Sequence, residues 1–423
     1  MDRSLVETAA TRASGDGEFR LNAGRWTGSL VLDEGGSCWV VPIEHGATGE
    51  PRVDPPDEAA DTVVLRGAPE AWAALLRSPP PPGYTDPFAA AGIGAMSVEP
   101  PSTDAGRHLA VRRFVELLRH AANGTDPAPV PAPHEAAHGQ HDAAVGRYVH
   151  LDLDGLDHRI YYETAGRGIG LLCQHTAGAD GRQWRQLLED ERVTDRFQVI
   201  VYDLPYHGKS LPPAGRAWWA EPYVLTQRLA MALPTTLSCV LGLDRPVFIG
   251  SSVGGMLALD LARYHPDEYR AVIALEGGLH ADIPVDLSDV EAASFTDADP
   301  ASHAATMMMI MSPTAPEANR QETRLHYAQG APGIFGGDIR YYAVEHDLRG
   351  EADRIDTSRC AVHLLTGEYD FPTVPWTEEA AKRIAGSTFA LMDGLGHFPM
   401  SEDHNGLMRH VVPILDGIAA SSS

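Results

Sequence analysis

Three residues in this chain have the type and setting to do covalent chemistry together: Ser252, Asp370 and His397. Gly250-Ser251-Ser252-Val253-Gly254 fits the pattern G-x-S-x-G. The apolar run Val247-Phe248-Ile249 precedes it and a stretch of helical periodicity, 254–263, follows it, so a strand–turn–helix is expected there. The glycines suit a turn too tight for a β-carbon. The turn lifts Ser252 to the positive end of the following helix. A serine hydroxyl is a weak nucleophile at neutral pH and needs a base. His397 is the candidate, in the glycine-rich loop Asp393-Gly394-Leu395-Gly396-His397-Phe398-Pro399-Met400.

The base in turn needs a carboxylate to hold its tautomer and stabilise the imidazolium. Asp370, in Gly367-Glu368-Tyr369-Asp370-Phe371-Pro372, is the first choice. Glu276, ending the preceding apolar run, is the runner-up, and Glu368 reads as solvated. An oxyanion hole needs two backbone N–H donors. Val253 supplies one as the residue after the serine, and Ala177, in the loop His175-Thr176-Ala177-Gly178-Ala179-Asp180, is expected to supply the other. Such a set performs acyl transfer to water through an acyl-serine intermediate and calls for no cofactor and no metal.

The elements that must position these residues form a regular series. Residues 148–153 and 158–162 flank Asp154-Gly155 as a hairpin. Buried-strand runs then fall at 170–174, 197–202, 246–249, 271–275, 361–365 and 388–392. Helical stretches lie near 182–190, 222–241, 254–264, 377–385 and 403–418. Runs apolar on both faces belong in a covered parallel sheet, and the alternation predicts an α/β fold with a doubly wound, mostly parallel sheet. No such strand occurs in about 279–359, which is expected to be an inserted helical cap carrying the flexible cluster Met307-Met308-Met309-Ile310-Met311 over the site. Trp218, Trp219 and Tyr223 are candidates for lining an entrance.

Taken with their setting, residues 146–418 resemble the α/β-hydrolase superfamily. His175-Thr176-Ala177-Gly178 stands in the usual His-Gly-x-x place, and Asp203-Leu204-Pro205-Tyr206-His207-Gly208-Lys209-Ser210 resembles the family's D-x-x-x-H-G-x-S turn, where the histidine is structural. Two departures matter. Thr176 replaces the usual glycine, and Ser251 replaces the histidine common before the nucleophile in lipases and haloperoxidase-like members. The second keeps open a C–C bond hydrolase of the meta-cleavage type beside an esterase, lactonase or amidase. A ligand-binding protein with a vestigial triad is the reading from another class.

The 423 residues exceed one ordinary core. Residues 1–122 read as a small α+β accessory domain, 123–145 as a Pro/Ala/His-rich linker and 146–423 as the domain above. Pro127, Pro129, Pro131 and Pro133 alternate as in an extended linker, and His134, His138 and His141 within it match no metal spacing. Strands are expected at 30–32, 38–43 and 61–66, and helices at 69–76 and 107–122. This segment, about 18–122, resembles the sterol-carrier-protein-2-like family through Gly28-Ser29-Leu30-Val31-Leu32, the 61–66 strand leading into the 69–77 helix, Gly94-Ala95-Met96-Ser97-Val98 and the closing helix; Glu99-Pro100-Pro101 departs from the family's Gly-Asp pair. The resemblance implies an apolar tunnel for lipid-like groups.

A net charge of −25 disfavours nucleic acid and anionic membrane surfaces as partners. No apolar run approaches the ~20 residues of a membrane span, and no signal peptide is read at the start. Cys38, Cys173, Cys239 and Cys360 are scattered, and three lie in apolar runs, which points to free thiols and a cytoplasmic protein. With no Arg or Lys cluster for an anionic group, the expected substrate is a hydrophobic small-molecule ester, lactone or amide; the oligomeric state is not legible.

Overall fold

The computed structural model describes residues 1–53, 61–100, 104–129, 139–281 and 299–421. His134 and His138 lie outside them. The chain forms two compact units, Met1–Ala132 with Ala301–Ala318, and Pro133–Pro300 with Asn319–Ser423.

The first unit holds a five-stranded sheet in the order β3-β2-β1-β4-β5, with β1 Thr27–Asp33, β2 Cys38–Glu44, β3 Ala47–Thr48, β4 Asp61–Gly67 and β5 Met96–Glu99. β1 pairs antiparallel with β2 and parallel with β4. Helices Pro69–Leu75 and Ala105–Ala122 fall where periodicity predicts them, the first opened by proline and the second capped by Asp104 onto Arg107 N–H. Two N-terminal helices, Arg3–Gly15 and Gly17–Asn22, were not legible. The buried face of the first is Val6, Ala9, Ala10 and Ala13, too weakly apolar to register as a stripe. This unit has its own core around Phe19, Leu30, Trp72 and Phe114.

The expected single cap over 279–359 is divided between the units, because Ala301–Ala318 clusters with the first. There Thr85 Oγ1 donates to Met309 O at 2.6 Å, and Met308 and Met311 are buried. The methionine cluster therefore belongs to the first unit.

The second unit carries an eight-stranded sheet, β13-β12-β11-β10-β8-β9-β7-β6. Its strands are β6 Val145–Leu153, β7 Leu156–Gly166, β8 Ile169–Gln174, β9 Phe197–Tyr202, β10 Val247–Ser251, β11 Ala271–Leu275, β12 Ala361–Gly367 and β13 Thr388–Met392. β6–β7 and β7–β9 are antiparallel and the other pairs parallel. Asp154 and Gly155, both at positive φ, make the β6–β7 turn. β10 and β11 are buried along their whole length, as a sheet covered on both faces requires.

The strand order reverses at β8, which lies between β9 and β10. Such a switch point opens a crevice at the carboxyl ends of the strands. The loop carrying Ala177 leaves β8 there, and the turn carrying Ser252 leaves β10.

Candidate active site

The turn after β10 is strained. Ser252 has φ 58° and ψ −113°, and helix Val253–Tyr264 starts at the next residue. A non-glycine residue at positive φ persists only where its surroundings over-determine it. Ser252 N–H is held by Leu275 O at 3.0 Å. A β-carbon on Gly250 would stand 2.6 Å from the Gly254 backbone, and one on Gly255 would stand 2.1 Å from Leu275 O. The turn thus admits only glycine at these places, while Ser252 keeps part of its surface exposed.

Asp370 follows β12 and His397 follows β13, so adjacent parallel strands deliver both to one edge. His397 Nδ1 lies 2.7 Å from Asp370 Oδ2. Asp370 is fully buried and His397 8% exposed. Gly396 N–H donates to Glu402 Oε1 at 2.6 Å, and Gly394 N–H to Glu368 Oε2 at 2.9 Å, which fixes the loop before the imidazole. Glu368, expected to be solvated, thus anchors this loop. Ser251 Oγ donates to His397 O at 3.3 Å, binding residue 397 to the residue before Ser252. No hydrogen bond joins the Ser252 hydroxyl to the imidazole among the described residues; such bonds are often long in unliganded sites and tighten around substrate.

Among the described residues, no hydrogen bond or ion pair joins Glu276 to His397. The β11–β12 register sets it beside Thr366, and its carboxyl accepts Thr366 Oγ1 at 2.7 Å and Gly367 N–H at 3.0 Å. Burial drives its pKa well above the usual carboxyl range, and the neighbouring Asp370 adds to the rise.

Around Ala177 the backbone donors are apportioned. Thr176 N–H goes to Gln183 Oε1 at 3.0 Å and Gly178 N–H to Asp338 Oδ2 at 2.8 Å. Among the described residues, no partner is found for Ala177 N–H or Val253 N–H. Thr176 fills the place of the expected glycine by bonding through its hydroxyl to Gln183 Oε1 at 3.1 Å and to Tyr327 at 2.5 Å.

Several residues of this neighbourhood were missed in the sequence. Asp338, fully buried on helix Ile334–Arg340, takes Gly178 N–H, His207 Nε2 at 2.8 Å and the Tyr223 hydroxyl at 2.9 Å. His207 Nδ1 meets Pro205 O at 2.9 Å. With acceptors against both nitrogens, this ring is an imidazolium; burial opposes its charge but Asp338 and the Pro205 carbonyl outweigh that and raise its pKa. Tyr223 is therefore a buried anchor, while Trp218 and Trp219 are exposed and stack edge to face on each other. A π-helical turn, Tyr341–Glu345, follows Asp338, a distortion common at functional sites. It sends the Tyr341 hydroxyl to Asp260 at 2.5 Å and sets Tyr342 within electrostatic reach of Asp370. The one sequence signal for this group was the absence of strands after Gly278.

The sheet order and the strained serine turn define the α/β-hydrolase fold. Residues 171–409, more than half of the chain, match the alpha/beta hydrolase family, and the chain belongs to it. A pimeloyl-(acyl-carrier protein) methyl ester esterase of Aeromonas hydrophila is 31% identical over 113 residues, 27% of this chain and 39% of that protein. A 2-hydroxy-6-oxononadienedioate/2-hydroxy-6-oxononatrienedioate hydrolase of Burkholderia vietnamiensis is 26% identical over 140 residues, 32% of this chain and 46% of that protein. The chain thus spans less than half the length of these curated relatives. A thermophilic esterase from Thermogutta terrifontis superposes with a TM-score of 0.56 at 22% identity, over 64% of this chain and 99% of that one, a likeness of fold. No helix among the described residues is long and apolar enough to cross a membrane.

Proposed function

We propose that this protein is a serine hydrolase that cleaves an ester, lactone or amide bond of a hydrophobic small molecule. Ser252 Oγ attacks the carbonyl carbon as His397 Nε2 takes its proton; Asp370 holds Nδ1–H and balances the imidazolium. The N–H groups of Ala177 and Val253 receive the oxyanion. His397 returns the proton to the leaving group, and water activated by the same imidazole releases the acid. No step draws on a cofactor. The observation that carries this reading is the pairing of a strained, accessible Ser252 with a His397–Asp370 pair at the same sheet edge.

The test is turnover of p-nitrophenyl esters by the wild type and Ser252→Ala, with labelling by a fluorophosphonate. Loss of both in the variant supports the assignment, and turnover that survives it refutes the assignment. Absence of labelling in the wild type would favour a binding protein with a vestigial triad.

A second reading, hydrolysis of a C–C bond with the same triad, is favoured by Ser251 in place of the common histidine and by the Burkholderia relative. Turnover of a vinylogous 1,5-diketone in preference to simple esters would select it. For the first unit, the order β3-β2-β1-β4-β5 with β4 parallel to β1 supports the sterol-carrier-protein-2-like reading and a lipid-like ligand. The free cysteines favour a cytoplasmic location.

A further inference from the structure

Two carboxyl groups, Glu276 and Asp370, are fully buried side by side at the strand ends behind His397. A single hydroxyl, that of Thr373, stands between them. Thr373 Oγ1 touches both, 3.3 Å from Glu276 Oε2 and in close contact with Asp370 Oδ2. The donors around them can be counted. Glu276 receives Thr366 Oγ1–H on Oε2 and Gly367 N–H on both oxygens. Asp370 Oδ2 receives His397 Nδ1–H and the Thr373 hydroxyl. Asp370 Oδ1 is buried and receives nothing. A buried carboxylate oxygen left without a donor is costly, and two like charges this close cannot both persist. One proton placed between the carboxyls removes both difficulties. His397 selects its owner, because the imidazole stands against Asp370 and favours the anion there.

We propose that Glu276 is a protonated positioning residue whose carboxyl O–H donates to Asp370 Oδ1, fixing the carboxylate that orients His397. The inference rests on the triad reading above. Glu276 is itself held rigidly: its backbone has φ 52° and its N–H is bound to Leu365 O at 2.9 Å. Among the described residues, His397 is paired with Asp370, and Tyr342 from the π-helical turn is in electrostatic interaction with it. The arrangement leaves one negative charge, not two, beneath the imidazole.

The pH profile of kcat/KM for p-nitrophenyl ester hydrolysis tests this in Glu276→Gln and Glu276→Leu, both first shown to label with fluorophosphonate and to melt cooperatively. The acid limb reports protonation of the base in the free enzyme. Gln carries no charge and keeps an N–H donor, so Glu276→Gln should retain activity within about tenfold with the acid limb unmoved. Leu supplies no donor, so Glu276→Leu should lose kcat by about 10- to 100-fold, as misplaced catalytic groups do, with little change in KM. An acid limb shifted downward in Glu276→Gln would mean that the wild-type residue is an anion raising the histidine pKa, and overturns the proposal. So does wild-type kcat in Glu276→Leu. If that variant does not fold, the limb position in Glu276→Gln decides alone. Failure of the triad reading shows separately, as labelling or turnover that persists in Ser252→Ala.

Discussion

Asp338 Oδ2 accepts the Gly178 N–H at 2.8 Å, tying a buried carboxylate of the inserted segment to the loop that carries Ala177. The same oxygen meets His207 Nε2, so one side chain couples the insertion, the loop carrying Ala177 and the Asp203–Ser210 turn. The direction of Ala177 N–H is therefore set by its neighbour's bond to a residue 160 positions away.

Asp338→Ala should cost more in turnover than in binding. It leaves Gly178 N–H and His207 Nε2 without an acceptor, while Nδ1 keeps Pro205 O, and a buried pair broken from one side costs about 3–5 kcal/mol. A fall in melting temperature, with kcat reduced more than KM is raised, is the expected result in ester hydrolysis; an unchanged kcat would show that the loop keeps its position without this bond.

Stability should fall on the alkaline side through His207. Its folded-state pKa is raised above the ordinary 6.5 by Asp338 and Pro205 O against the burial that opposes it. A group with a raised folded pKa contributes fully below its unfolded pKa and loses that contribution as pH rises through the folded value. Chemical denaturation of the wild type and His207→Asn should therefore show a stability gap that is widest below about pH 6.5 and narrows as pH increases above it. A gap that stays constant from acid to alkaline pH would mean that the ring is neutral.

Gly255→Ala should disable the serine turn without touching the serine. Its β-carbon would lie 2.1 Å from Leu275 O, the atom that also receives Ser252 N–H. Because the obstacle is backbone, the turn itself must move. A displacement near 1 Å in a reacting group costs about 100-fold, so fluorophosphonate labelling should slow by that order. Wild-type labelling rates would show that the turn absorbs the methyl group.

Asp370→Asn should leave His397 in place but in the wrong tautomer, since an amide can donate to Nδ1 where the carboxylate only accepts. A loss on the order of 10⁴-fold in kcat is expected by analogy with other triads. If Glu276 supplied the working carboxylate, the loss would be small and Glu276→Gln would show the large one.

The middle of the sheet was legible because β8 to β11 are short runs apolar on both faces, separated by helical periodicity, which suits a covered parallel sheet; β13, expected as a buried run, is instead a largely exposed edge strand. The candidate triad was legible for a related reason: each member directly follows one of the expected strand runs, and strands in one parallel sheet end on one edge. Ala177 and Val253 were readable only as candidates, since both are defined by their distance from a strand end.

What surrounds them was decided by tertiary structure alone. Asp338, Tyr342 and Tyr327 come from the strandless interval, where no periodicity fixes which face turns to the site. Nothing local to the methionines at 307–311 says which unit they join, and long-range packing put them with the first. Glu276 was visible as a carboxylate at a strand end, but its role depends on whether it meets His397 or Asp370. That depends on the β11–β12 register and on a positive φ at one residue, quantities set only when the sheet has closed.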